Sequence, residues 1–102
     1  MLILQQRFAP SDAKEALHTA CNQAYGEGLF CDEVVPVKKA GNVYVAELYQ
    51  GPTAAFKDMA LSMLPRMMTL SLKKKGEERE VMILAATSGD TGKAALEGFK
   101  DV

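Results

Sequence analysis

The sequence predicts an α/β fold built from parallel βαβ units with flanking helices. Three observations carry that prediction. From residue 43 onward the chain alternates strand, helix, strand, helix. Residues 81–86 (VMILAA) are a continuous apolar run without alternation, the pattern of a strand buried on both faces of a parallel sheet. Small or apolar residues recur at helical spacing over residues 11–25 and again over 54–75. Such a unit is expected to have a right-handed crossover.

Each element has a local reason. Residues 1–10 are a weak apolar start closed by Pro10, and Ser11 is placed to cap a helix reaching about Tyr25. The narrow face of that helix is Ala13, Ala16, Leu17, Ala20 and Ala24. His18 lies beside this face and reads as an ordinary polar side chain. Gly26 and Gly28 end the helix. Val34-Val35-Pro36-Val37 has extended character, and Pro36 marks an edge or a connection. Lys39-Ala40-Gly41-Asn42 is turn chemistry, and residues 43–49 (VYVAELY) read as a strand. Gly51-Pro52 breaks that strand, and Thr53 is a good N-cap. The next helix should run from about Ala54 to Lys75, with Phe56, Ala60, Met63, Met67 and Leu70 as a core-facing stripe widened by Met59, Met68 and Leu72. Pro65 removes a backbone bond to the carbonyl of Leu61, so a kink or break is expected there. Gly76 ends the segment, and residues 91–100 form the last helix. The organisation expected is a single partial domain, with a helical part over 1–33 and a βαβα part over 34–102.

Composition narrows the function classes. The 102 residues suffice for one small domain, and 48% apolar with 25% charged residues is ordinary for a globular protein. A net charge of -1 offers nothing to a nucleic acid or an anionic membrane. Lys73-Lys74-Lys75 is followed by Glu77, Glu78 and Glu80, which reads as a solvated helix end. No apolar run approaches a membrane span, and Met1-Leu2-Ile3-Leu4 is too short for a signal peptide, so a cytoplasmic location is expected. Cys21 and Cys31 lie outside any CxxC spacing and there is one histidine, so no metal site is expected and both thiols should be free.

Two stretches carry candidate chemistry. Lys57 in Gly51-Pro52-Thr53-Ala54-Ala55-Phe56-Lys57-Asp58 would sit about one turn into a helix. The dipole there disfavours an ammonium, and a poorly solvated lysine so placed becomes a nucleophile for carbonyl groups. Asp58 pulls the other way, since an adjacent carboxylate favours the charged amine. Taken locally, Lys57 also reads as a surface lysine on an amphipathic helix. The second stretch, Thr87-Ser88-Gly89-Asp90-Thr91-Gly92, leaves the carboxyl end of the buried run and enters a helix, the place where open α/β sheets bind ligands. Its backbone N–H groups and hydroxyls suit an anion, although plain helix capping explains the same residues. It lacks the spacing of a Walker A loop.

Taken together, Gln50-Gly51-Pro52-Thr53-Ala54-Ala55-Phe56-Lys57-Asp58 and, some thirty residues on, Ala85-Ala86-Thr87-Ser88-Gly89-Asp90-Thr91-Gly92-Lys93-Ala94-Ala95 resemble threonine synthase, a pyridoxal-phosphate enzyme of the tryptophan-synthase-β-like fold type II. The resemblance is strong from about Val34 to Val102 and fainter before. It implies that Lys57 is the covalent anchor of pyridoxal 5'-phosphate. It also implies that Thr87, Ser88, Gly89, Asp90 and Thr91 receive the substrate's α-carboxylate, with Ser88 and Asp90 beside the cofactor and Asp90 near its phenolic oxygen, where many relatives carry asparagine. The reaction implied is O-phospho-L-homoserine and water to L-threonine and phosphate. Gln50 and Ala54 depart from the family's usual histidine and leucine, which touches the approach to the lysine. The family's enzymes are several times longer. The chain is therefore expected to be an N-terminal-half piece that lacks the cofactor's phosphate loop and pyridine-nitrogen partner, is inactive alone and self-associates. Two alternatives are another lyase or dehydratase of the same fold, and a non-catalytic domain binding an anionic metabolite through 88–91.

Overall fold

The computed structural model describes residues 10–26 and 28–102. The apolar start read over residues 1–10 therefore lies, apart from Pro10, outside the described residues. The elements are helix α1 (Pro10–Tyr25), strands β1 (Val37–Ala40) and β2 (Val43–Ala46), and helices α2 (Asp58–Leu61), α3 (Leu64–Lys75) and α4 (Asp90–Gly98).

Helix α1 ends where its glycines require, with the Gly26 N–H donating to the Asn22 carbonyl at 2.8 Å. Its small-residue face is its buried face: Ala20 and Ala24 are almost fully covered, while His18 is exposed and lies within hydrogen-bonding distance of the Asn22 side chain. Small side chains let the helix lie close to its neighbour, and α1 packs on α3. The Tyr25 hydroxyl donates to the Met59 carbonyl at 2.7 Å, and its ring meets Phe30 edge-on with centroids 5.5 Å apart. Burial pushes the Tyr25 hydroxyl above its ordinary pKa, helped by nearby Cys21. This pair fastens the end of α1 to α2. Cys21 and Cys31 are free thiols.

Strands β1 and β2 form an antiparallel hairpin, pairing Val37 with Ala46 and Ala40 with Val43 around the two-residue loop Gly41-Asn42. The strand read over 43–49 thus starts at Val43 but stops at Ala46, and Lys39 and Ala40, read as turn, are strand. A Gly-Asn pair with positive φ at the glycine closes a tight hairpin whose twist matches its strands. The Glu47 N–H continues the ladder to the Pro36 carbonyl at 2.9 Å. Lys38 pairs with Glu47 at 2.9 Å, and Gln50 donates to the same carboxylate at 2.8 Å. The Lys38 bond holds the Glu47 carboxyl below its usual range, with Gln50 adding to it.

The single helix read over 54–75 is two helices. Ala54 has φ +56°, outside the helical region, and α2 opens only at Asp58. The break at Ser62-Met63 precedes Pro65, as the missing N–H requires, and Pro65 itself is buried in the first turn of α3. Because residues 51–57 are turns, Phe56 falls off the apolar stripe and is exposed, as is Ala60. Met63, Met67 and Leu70 are half-buried. Gly76 stops α3, with its N–H on the Lys73 carbonyl and the Glu77 N–H on the Leu72 carbonyl, both at 3.1 Å.

Helix α4 packs on α2 through Gly98, where a Cβ would stand 2.0 Å from the Leu61 carbonyl oxygen. Arg66 Nη1 donates to the carbonyls of Ser62 (3.1 Å) and Gly98 (3.2 Å), tying the α2–α3 break to the end of α4. The run 81–86, read as a doubly buried parallel strand, has no ladder partner among the described residues, and Met82 and Leu84 are 82% and 88% exposed. The parallel ladder of a βαβ unit is therefore not formed among them. Residues 43–46 are committed to the hairpin, and a parallel strand needs neighbours on both edges and helices on both faces. The α/β class stands, as helices joined to a small sheet. No described helix is long and apolar enough to cross a membrane.

Candidate functional site

Lys57 sits at the N-cap of α2, with helical φ and ψ of −63° and −23°, and its carbonyl accepts the Leu61 N–H at 3.0 Å. The side chain is half-buried. Its Nζ lies 5.0 Å from the Phe56 ring centroid, a cation–π distance. No hydrogen bond or ion pair to Nζ occurs among the described residues. Asp58, next in sequence, does not serve the amine. Its carboxylate is 1% exposed and turned back on Thr53, accepting the backbone N–H at 2.8 Å and the hydroxyl at 2.6 Å. Thr53 is therefore not the N-cap of a helix starting at Ala54. It is the partner of a carboxylate five residues on. This bond, the buried Ala55 and the left-handed Ala54 shape residues 51–57 as a closed turn.

The second candidate stretch is built differently. Gly89 is the N-cap of α4 at φ +148° and ψ −67°, a conformation that side chains rarely adopt. Glycine has no side chain to cap the helix, so among the described residues its first N–H groups have no side-chain cap. The Gly89 N–H donates to Thr87 Oγ1 at 3.2 Å, and the Gly89 carbonyl accepts the Lys93 N–H at 2.9 Å. Thr87 also rests on Gly92, where a Cβ would come within 2.5 Å of its methyl. Asp90 pairs loosely with Lys93 at 3.5 Å, and Thr87, Ser88 and Asp90 are exposed. Thr91 is half-buried. A hollow of about 590 Å³ lies between the 83–87 segment and α4, with Ile83, Ala85, Ala95, Leu96 and Phe99 among its lining.

Lys57 and Gly89 are thus the N-caps of two helices that pack on each other, and the visible contact is made at their far ends, Leu61 against Gly98. No bond joins Lys57 to 87–91 among the described residues. The residue that sequence reasoning passed over is Asp58, as the organiser of the lysine turn. No sequence signal marked it: the close approach appears only in the fold, where a Cβ on Gly51 would stand 2.6 Å from Asp58 Cβ and 2.8 Å from the Phe30 ring.

No family model matches the chain. Threonine synthase from Pseudomonas aeruginosa is 52% identical over 75 residues, which is 72% of this chain and 16% of that protein. The crystal structure of PLP-bound threonine synthase from Brucella melitensis superposes with a TM-score of 0.74 at 42% identity, over 83% of this chain and 18% of that one. The chain is homologous to a segment of threonine synthases. Human threonine synthase-like 1 is also similar, 38% identical over 100 residues that make up 96% of this chain and 13% of that protein. The chain spans 13–18% of the length of these three family members. This threonine synthase homologue is a segment-length match to a fold type II enzyme, and its α/β class agrees with theirs.

Proposed function

We propose that the chain supplies the lysine-bearing part of a threonine synthase, a carbon–oxygen lyase acting on a phosphate ester that converts O-phospho-L-homoserine and water to L-threonine and phosphate. The observation that carries this reading is the Lys57 amine, which has no carboxylate partner among the described residues and stands beside a carboxylate held elsewhere. An amine so left is available to a carbonyl carbon. The donor set fits pyridoxal 5'-phosphate. Lys57 would anchor it, with Ser88 and Asp90 beside its ring. When bound, the cofactor supplies an electron sink for negative charge on the substrate carbon. The uncapped N–H groups of α4, with Thr87, Ser88, Gly89 and Thr91, orient the α-carboxylate of the amino-acid substrate. The Lys57 amine takes and returns protons at substrate carbon. Phe56 gives that amine an apolar neighbour.

The whole enzyme acts as a soluble cytoplasmic protein in this reading, and the 102 residues alone form one partial domain, 1–33 helical and 34–102 carrying the lysine and the 88–91 turn. By itself this domain does not turn over substrate. It associates with other copies through the exposed, unladdered 81–86 run. The test is a graft of the chain in place of the matching stretch of the P. aeruginosa enzyme. The graft is expected to release threonine and phosphate and to hold a coloured cofactor that Lys57→Ala removes. The isolated chain should release neither product, should keep no coloured cofactor through gel filtration, though added borohydride can trap a transient adduct, and should scatter light as more than a monomer. Turnover by the isolated chain, or covalently held cofactor in the Lys57→Ala graft, overturns the reading.

A further inference from the structure

We propose that Asp58 is the positioning residue for the Lys57 amine, acting through its carboxylate clasp on Thr53. The inference deepens the reading above and rests on Lys57 being the reactive group. Asp58 is the largest kind of liability in a small protein, a carboxylate with 1% of its surface exposed, and such a group is retained only where its oxygens are satisfied. Both are satisfied by one residue: Oδ2 accepts the Thr53 N–H at 2.8 Å and Oδ1 accepts the Thr53 hydroxyl at 2.6 Å. Two charge-assisted bonds to one partner fix direction as well as distance.

The clasp closes the loop that ends in the lysine. Gly51 lies against the Asp58 side chain, too close for any Cβ, and its carbonyl accepts the Ala54 N–H at 3.1 Å. The Ala55 carbonyl accepts the Asp58 N–H at 3.0 Å. Ala54 is held left-handed, a conformation that an alanine keeps only when its surroundings impose it. Lys57 is pinned on the other side by the Leu61 N–H on its carbonyl. The amine therefore leaves a backbone with little freedom, and the carboxylate closest to it in sequence is withheld from it. Released from Thr53, that carboxylate, adjacent in sequence, would be free to compete for the Lys57 amine.

The experiment compares four proteins: the full chain, Thr53→Val, Thr53→Ser and Asp58→Ala. Each is treated with pyridoxal phosphate and borohydride, and label on Lys57 is measured against label on Lys93 in the same digest. Backbone NMR shifts of Ala54 and Lys57 are recorded in parallel. Thr53→Val removes the hydroxyl and Thr53→Ser keeps it, so this pair carries the test if Asp58→Ala does not fold. Expected is a fall in the Lys57 to Lys93 ratio of about fivefold or more in Thr53→Val, with moved shifts at Ala54 and Lys57, and wild-type behaviour in Thr53→Ser. An unchanged ratio in a folded Thr53→Val chain overturns the proposal, whatever the shifts do. Failure of the amine reading looks different: in the unsubstituted chain Lys57 then takes no more label than Lys93.

Discussion

Residues 51–62 and residues 81–89 both lead into helices that bear candidate site residues, yet they are held in opposite ways. The first is tied both by its own residues and by helix α1. Asp58 grips Thr53, Gly51 lies under Asp58, and Tyr25 reaches the Met59 carbonyl. The second is an apolar run whose backbone finds no ladder among the described residues and whose side chains are exposed. The lesson is one of range. A turn closed by bonds five residues apart needs only a few neighbours to bury it. A strand buried on both faces takes its shape from other strands, and its sequence encodes only readiness for them.

That contrast can be broken at the tight end first. Gly51→Ala drives a methyl into Asp58 and Phe30, and chemical denaturation should show a loss of about 1–3 kcal/mol, the usual range for overpacking. A loss near zero would mean that the turn is as loose as the 81–86 run. At the slack end, Leu84→Lys should change unfolding free energy by less than about 0.5 kcal/mol, since the side chain is 88% exposed, while shifting light scattering toward the monomer. A large loss of stability there would place Leu84 in a core and erase the difference between the regions.

The smallest effect sharpens the boundary between them. Glu77, just past α3, receives three bonds from Arg79: from Nε at 2.8 Å, from Nη2 at 2.6 Å and from the backbone N–H at 3.1 Å. Arg79 holds the Glu77 carboxyl down to about 2, against an ordinary value of 4.5. A depressed carboxylate adds stability that is complete above its unfolded value and is lost as pH falls from there toward about 2. The pair is exposed, so the effect on folding is slight. NMR titration should give Glu77 a midpoint about 2, and Arg79→Ala should return it toward 4.5.

Much of this protein was legible in the chain itself. Helix α1 and its alanine face, the break ahead of Pro65 and the stop at Gly76 follow from periodicity, a missing N–H and a glycine cap, all effects that act within one or two turns. The threonine synthase kinship was legible in the two motifs, because a run of small and reactive residues in fixed order carries more information than any one of them. The start of α2 was misread because Thr53 is a good cap by type, and no local rule says that a buried carboxylate five residues on will claim it. Strand 43–49 was shortened by the hairpin register, since Ala46 pairs with Val37 and Pro36 beyond it has no N–H to carry the ladder further.

What the residues alone determined was therefore everything set by short-range sterics and by backbone groups a few positions apart: helix ends, the kink, the hairpin turn and the family's signature stretches. Tertiary structure decided which polar group owns which partner. It gave Asp58 to Thr53 instead of to the lysine, set Gly98 against the Leu61 carbonyl with Arg66 across both, and left the 81–86 run without a strand partner among the described residues. The reason is that burial and hydrogen-bond satisfaction are properties of what surrounds a residue, and the surroundings exist only once the chain has folded.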